Sequence, residues 1–183
     1  MERVRKTCTK SERTLGMVLE GEMELEKNVV VRGVAYEADI IRLTVGYDFY
    51  EEAALAELFT ALADNGIIVD IIVQTVIDGV KPTISFSIDK EEFAKALRVL
   101  ESSKSSLGFS HAEFEVGLAK VSIVGGGMGG NPGVAARMYA RLSKEGIRVR
   151  MVSTSEIKVS VLVSQDEMVR AANVLHDEFR MSF

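Results

Sequence analysis

The stretch Leu62-Ala63-Asp64-Asn65-Gly66-Ile67-Ile68-Val69-Asp70-Ile71 returns 80 residues later as Leu142-Ser143-Lys144-Glu145-Gly146-Ile147-Arg148-Val149-Arg150-Met151. Each copy reads as the end of a helix, a glycine stop and the start of a strand. Glycine supplies the left-handed residue that caps helix C-termini, and the apolar run after it suits a strand. Upstream, Ile41-Arg42-Leu43-Thr44-Val45-Gly46 lines up with Val121-Ser122-Ile123-Val124-Gly125-Gly126, which predicts buried strands over 40–46 and 119–125. Between strand and stop, Leu55, Leu58, Phe59 and Leu62 recur at helical spacing, as do Val134, Met138 and Leu142, so each helix has one apolar face. Downstream come strand pairs, Ile67–Gln74 with Thr83–Ile88 and Ile147–Ser153 with Ile157–Val163, the first with a longer Asp78-Gly79 connection. A second helix closes each half, where Phe93, Ala96, Val99 and Leu100 match Met168, Ala171, Val174 and Leu175.

The chain is therefore a tandem repeat of strand, helix, strand, strand, helix. Units this small bury a thin core, so packing against a neighbour or a second copy is expected. The first half continues into a strand near Phe114–Val116, whereas the sequence stops soon after the last helix of the second half. The strand-like residues 28–35 are free to fill that vacancy from the N-terminal side, where an uncovered sheet edge would invite aggregation.

Composition narrows the function classes. A 47% hydrophobic and 27% charged sequence without a long apolar run or secretory leader is expected to be globular, cytoplasmic and off the membrane. One cysteine excludes an internal disulfide, and His111 and His176 have no metal-ligand spacing. A net charge of −5 with dispersed basic residues argues against nucleic acid; the one basic cluster, residues 3–13, reads as a solvated tail.

The richest local signal is Gly125-Gly126-Gly127-Met128-Gly129-Gly130-Asn131-Pro132-Gly133 between a strand and a helix. Asn131 suits the N-cap and Pro132 the first helical position. The amides of Gly133, Val134 and Ala135 would then sit at the positive end of a helix dipole, ready for a carboxylate, and a bulky residue at Gly133 would crowd them. Two other readings compete. The glycines also suit a plain tight turn, and Gly125, Gly127 and Gly130 satisfy G-x-G-x-x-G, the dinucleotide fingerprint. Against the latter, no acidic residue follows at the ribose-binding distance, and the next turn is too short for a parallel crossover.

The phrases Val31-Arg32-Gly33-Val34-Ala35, Asp70-Ile71-Ile72-Val73-Gln74-Thr75, Met128-Gly129-Gly130-Asn131-Pro132-Gly133-Val134-Ala135-Ala136-Arg137-Met138 and Ser153-Thr154-Ser155-Glu156-Ile157-Lys158-Val159-Ser160 resemble the C-terminal regulatory region of aspartokinases, most of all the lysine-sensitive type of Gram-positive bacteria. The likeness spans roughly residues 28–180. It implies an α+β fold of two ferredoxin-like ACT repeats (βαββαβ), antiparallel sheets with helices on one face, and a second repeat completed by the N-terminal strand. It divides the chain into a linker from a kinase domain (1–27), a first repeat (40–118) and a second repeat (28–39 with 119–183). It implies a regulatory subunit or region, non-catalytic by itself, that binds an amino acid, lysine before threonine, as a homodimer serving an aspartokinase catalytic domain or α subunit. ATP and magnesium would belong to that catalytic part, with no cofactor here. The implied effector pocket comprises Met128, Gly130, Asn131, Pro132, Gly133, Val134, Ala135, Val149, Arg150, Thr154, Ser155 and Glu156, joined by Gln74 and Thr75 from the first repeat of another protomer.

The sequence departs from the family pattern in two places. The first-repeat turn reads Tyr47-Asp48-Phe49-Tyr50-Glu51-Glu52-Ala53, and acids at a helix start oppose a carboxylate. Ile68 and Arg148 replace a frequent asparagine, which weakens threonine sensing, and Arg148 with Arg150 fits lysine's second ammonium poorly. A nucleotide-binding domain and a ligand-free assembly module are the alternative functions.

Overall fold

The computed structural model describes residues 30–179 apart from 50–51, 78–80, 127, 129–130 and 132. The expected linker over 1–27 and the Asp78-Gly79 turn lie outside the described residues. Ten elements follow in order: β1 (Gly33–Gly46), α1 (Glu52–Asp64), β2 (Ile72–Ile77), β3 (Lys81–Asp89), α2 (Phe93–Leu107), β4 (His111–Val124), α3 (Val134–Lys144), β5 (Met151–Thr154), β6 (Lys158–Ser164) and α4 (Met168–Phe179). Single 3₁₀ turns, Lys90–Glu92 and Gln165–Glu167, lead into α2 and α4.

The strands form one six-stranded sheet in the order β2-β3-β1-β4-β6-β5, with every paired neighbour antiparallel. The two expected sheets are thus continuous, because β1 and β4 are 14 residues long and serve both halves. Ile40–Gly46 of β1 pairs with β3, while Gly33–Glu37 pairs with the Lys120–Val124 end of β4. The separate strands expected near Phe114–Val116 and over 119–125 are one strand. The register closes on itself: Gly33 faces Val124 and Gly46 faces His111, so the first residue of each strand meets the last of the other. At the middle of both strands the register slips, and each carries a left-handed residue there, Asp39 (φ 57°) and Gly117 (φ 70°).

Side chains alternate between the two faces of the sheet. On the helix side, Ile41, Leu43, Val45, Ile84, Phe86 and Ile88 pack with Leu58, Leu62, Ala96 and Leu100 in one core. Val121, Ile123, Val159, Val161 and Val163 pack with Met138, Leu142, Ala171 and Leu175 in a second, which Val31 joins from the N-terminal segment. Both helix stops are as the sequence predicts. Gly66 (φ 65°) and Gly146 (φ 71°) are left-handed, and the Ile67 and Ile147 amides donate back to the carbonyls of Leu62 and Leu142 at 3.0 and 2.9 Å.

The following strands begin later than expected, at Ile72 rather than Ile67 and at Met151 rather than Ile147. The chain first descends from the helix layer, burying Ile67 and Ile147 in the two cores, before its backbone reaches the sheet edge. The first contacts with the neighbouring strand come only at Asp70 N–H to Ser87 O (3.0 Å) and Arg150 N–H to Leu162 O (2.8 Å).

The opposite face is polar and repeats itself. Thr44 and Ser85 hydroxyls bond across β1 and β3 at 2.9 Å, and Ser122 and Ser160 across β4 and β6 at 2.8 Å. Beside them a small apolar cluster, Ile40, Ile71, Leu118, Met151 and Leu162, draws on both halves. Lys120, buried at the centre, reaches Glu37 at 2.7 Å and Asp70 at 2.5 Å. Burial pulls its ammonium pKa down, but the hydrogen bonds and charges of Asp70 and Glu37 outweigh that and leave it raised. A cation whose folded pKa is raised stabilises the fold fully below its unfolded value of about 10.4 and loses that contribution as pH climbs through the folded value. Urea unfolding from pH 8 to 12 should therefore show an alkaline fall in stability that is smaller in Lys120→Met.

No helix among the described residues is long and apolar enough to cross a membrane.

Candidate functional site

The loop between β4 and α3 is built by backbone. Gly125 N–H donates to Ile157 O at 2.9 Å and Met128 N–H to Glu156 O at 3.1 Å. These two bonds fasten the glycine loop to the Ser155-Glu156-Ile157 turn between β5 and β6. The turn in its own right is held by Ser155: its amide donates to Lys158 O at 2.8 Å, and its hydroxyl accepts from the Lys158 amide at 3.1 Å. Ser155 is thereby a structural residue of the turn, while the side chains of Thr154 and Glu156 remain exposed.

Helix α3 starts later than expected. Its N-cap is Gly133 (φ 111°, ψ −17°), not Asn131, and no side chain caps it. The cause is a pair of turns ahead of the helix, Asn131 N–H to Met128 O at 3.3 Å and Val134 N–H to Asn131 O at 3.5 Å, which delay helical geometry until Val134. Gly130 and Pro132 lie outside the described residues. The first turn of α3 holds no acidic residue, and Arg141 and Lys144 stand in the last turn, where they complement the dipole. Arg137 faces away, its guanidinium bonded to the Glu178 carboxylate (3.1 Å) and carbonyl (2.7 Å). A helix start with no side-chain cap and no acid in its own first turn is suited to receive a carboxylate.

The remaining sequence-predicted site residues fall in three places. Met128 and Val134 are buried in the second core, so only their backbone can face the loop, and half-buried Val149 packs against that core. Arg150 stands ahead of β5, about 13 Å from Thr154 at ~3.3 Å per residue, with its guanidinium 3.4 Å from Glu115. It is committed to the polar face rather than to the loop. Gln74 and Thr75 are exposed on β2, the opposite edge of the sheet, about 24 Å from β5 across five ~4.8 Å strand spacings. One chain does not bring them to the loop.

The two repeats differ at the residue that follows each long strand. In the second it is Gly125, where an added Cβ would lie 1.8 Å from the Val30 carbonyl oxygen. In the first it is Tyr47, whose amide makes the corresponding bond to Pro82 O at 3.0 Å. Its ring is buried in the first core; burial, and then the charge of Glu57, push its hydroxyl pKa up. An aromatic ring thus fills the first repeat where the second has a glycine. Sequence reasoning missed this difference because an offset of 80 aligned Gly46 with Gly126 and Val45 with Gly125, whereas in the sheet it is Tyr47 that takes the place of Gly125. It also missed Lys120, although a lysine inside the apolar run Ala119–Ile123 was a visible signal of a buried ion pair.

The antiparallel pairing also decides the dinucleotide reading. The strand after α3 is paired with β6, not laid parallel beside β4, so the crossover that the G-x-G-x-x-G fingerprint requires is absent from this sheet.

A family profile for the ACT domain matches residues 121–179. The chain is 47% identical over 171 residues to an aspartokinase of Bacillus sp. (strain MGA3), an alignment that takes in 93% of this chain and 42% of that protein. The chain thus spans less than half the length of that relative. Among solved structures, one of aspartokinase alpha and beta subunits is 34% identical with a TM-score of 0.76, covering 82% of this chain and 99% of that one. The ligand-free regulatory subunit of aspartate kinase from Thermus thermophilus is 31% identical with the same TM-score and the same coverage.

Proposed function

This chain belongs to the aspartokinase family, whose ACT-domain regulatory region it matches, and from that premise we propose that it binds lysine as a feedback effector. The observation that carries the reading is the fastening of the glycine loop to the Ser155–Ile157 turn. It ties the loop that leads into the uncapped start of α3 to the turn that carries the exposed Glu156 and follows Thr154. The α-carboxylate of lysine accepts from the first amides of α3, and its ammonium groups are met by the Glu156 carboxylate and nearby carbonyls. The Arg150 charge, which would oppose lysine, is paired with Glu115. Threonine is the weaker candidate.

Two copies of the chain are needed to complete the site. Both outer strands, β2 and β5, are sheet edges, and β2 exposes Ile72, Val73 and Val76. An edge of this kind is normally covered. A second copy that pairs there carries Gln74 and Thr75 to the loop of its partner. In this reading the dimer acts in the cytoplasm on an aspartokinase catalytic domain or α subunit, which holds ATP and magnesium, and the chain has no kinase activity of its own.

A thermal-shift screen with the twenty amino acids and NAD(P) tests this. A ligand that binds only the native state stabilises by about 2.7 kcal/mol at a hundredfold excess over its Kd. Lysine is expected to raise the melting temperature and NAD(P) to leave it unchanged. A shift with dinucleotide, or none with any amino acid, would reject the proposal.

A further inference from the structure

We propose that Lys120 and Arg42 fix the angle between the two halves of the chain, each acting as a latch across the break in the shared strands. Both strands that run through the two halves are interrupted at the same level by a left-handed residue and a register slip, Asp39 in β1 and Gly117 in β4. A sheet broken there in both central strands has no regular ladder to set its bend. What bridges the break therefore sets the orientation.

Two ion clusters bridge it, and they are copies of each other. Lys120 stands on β4 in the second half. It holds Glu37, opposite it on β1, and Asp70, which leads into β2 at the far edge of the first half. Arg42 stands on β1 in the first half. It holds Glu115, opposite it on β4, at 2.7 Å and donates to the carbonyl of Arg150, which leads into β5 at the far edge of the second half, at 3.2 Å. Each cation thus ties the centre of one half to the segment that enters the edge strand of the other. The clusters are not interchangeable, because Lys120 faces two acids whereas Glu115 faces two arginines. Between them lie Ile40, Ile71, Leu118, Met151 and Leu162, contributed by both halves.

The side-chain exposures show why these are latches rather than general supports. Lys120 is 7% exposed, but Glu37 and Asp70 are 56% and 41% exposed. Removing the cation leaves no buried orphan charge, since both acids already touch water. The loss falls on geometry, the property that buried ion pairs are suited to specify. Through its consequence the proposal rests on the effector reading: the angle decides how the β2 and β5 edges are presented to a second copy. Its test does not.

Residual dipolar couplings of the deuterated full chain, without effector, report the relative orientation of residues 41–109 and 121–175. The wild-type halves are expected to fit one alignment frame. In Lys120→Met the two halves should each keep their internal structure but need frames rotated by several degrees, and Lys120→Arg should restore the wild-type frame. If Lys120→Met fails to fold, Asp70→Ala removes the contact to the first half from its exposed side, leaves Lys120 on Glu37, and should give a rotation in the same direction. An unrotated frame in the folded variant, or a Lys120→Arg protein that behaves like Lys120→Met, overturns the proposal. A failure of lysine to bind leaves these outcomes untouched and counts only against the effector reading.

Discussion

Gly125→Ala is expected to destabilise the chain by about 3 kcal/mol, the upper end of the cost of forcing atoms into a packed core. A Cβ at this position meets only backbone: the Val30 carbonyl oxygen at 1.8 Å, its carbon at 2.8 Å and the Val31 Cα at 2.9 Å. No side chain can rotate away, so either the glycine loop or the N-terminal segment must move. The segment is the weaker party. It is held by the Arg32 amide bond to Val124 O at 2.7 Å and by the burial of Val31 in the second core. Displacing it uncovers part of that core and the Lys120–Val124 edge of β4, so the variant should also aggregate at lower temperature. Gly126→Ala is the control, since a Cβ there meets nothing within 4 Å; its expected effect is within about 0.5 kcal/mol. Urea titrations of both variants decide the matter, and equal midpoints would show that the segment does not lie across Gly125.

Gly133→Leu should weaken lysine binding about tenfold or more while the protein remains folded, and an aspartokinase carrying it should stay active but resist lysine. The sequence suggested crowding as the cause, yet a Cβ at Gly133 meets nothing within 4 Å. Backbone is the cause instead. A φ of 111° is a conformation that L side chains rarely adopt, and strain of about 1–3 kcal/mol corresponds to roughly a five- to hundredfold change in affinity when it is relieved by reorienting the site. A leucine here pulls φ negative and turns the first amides of α3 away from the loop. Calorimetric titration with lysine, alongside circular dichroism to confirm the helix, measures it. Wild-type affinity in a folded variant would place the carboxylate elsewhere.

The parts of the fold that were legible in the sequence are those set by neighbours along the chain. Gly66 and Gly146 announce their helix stops because a left-handed residue after an apolar helical face has few other uses, and the four helices follow from spacing alone. The strand starts after those stops were misplaced because Ile67–Ile71 has strand-like residues but is still travelling between layers, which periodicity does not reveal. Asn131 has the chemistry of an N-cap, but the turns from Met128 to Val134 postpone the helix, and such turns depend on the Glu156 carbonyl across the loop. In the candidate site, Met128 and Arg150 are placed by distant partners, the second core and Glu115. Lys120, Glu37 and Asp70 are far apart in sequence and meet only because β1 lies between β3 and β4.

The sharing of β1 between the halves also orders the folding of the chain. The segment Gly33–Glu37 pairs with Lys120–Val124, so its partner is synthesised more than eighty residues after it. Closing so long a loop carries an entropic cost that the Ile40–Gly46 segment, which pairs with β3 much nearer in sequence, does not share to the same extent. On a ribosome, which extends a chain at roughly 5–20 residues per second, the first core can form while the second is still unmade. Gly33–Glu37, the first strand segment of this sheet to emerge, then waits for its partner, and until β4 is complete the beginning of β1 is an unpaired strand.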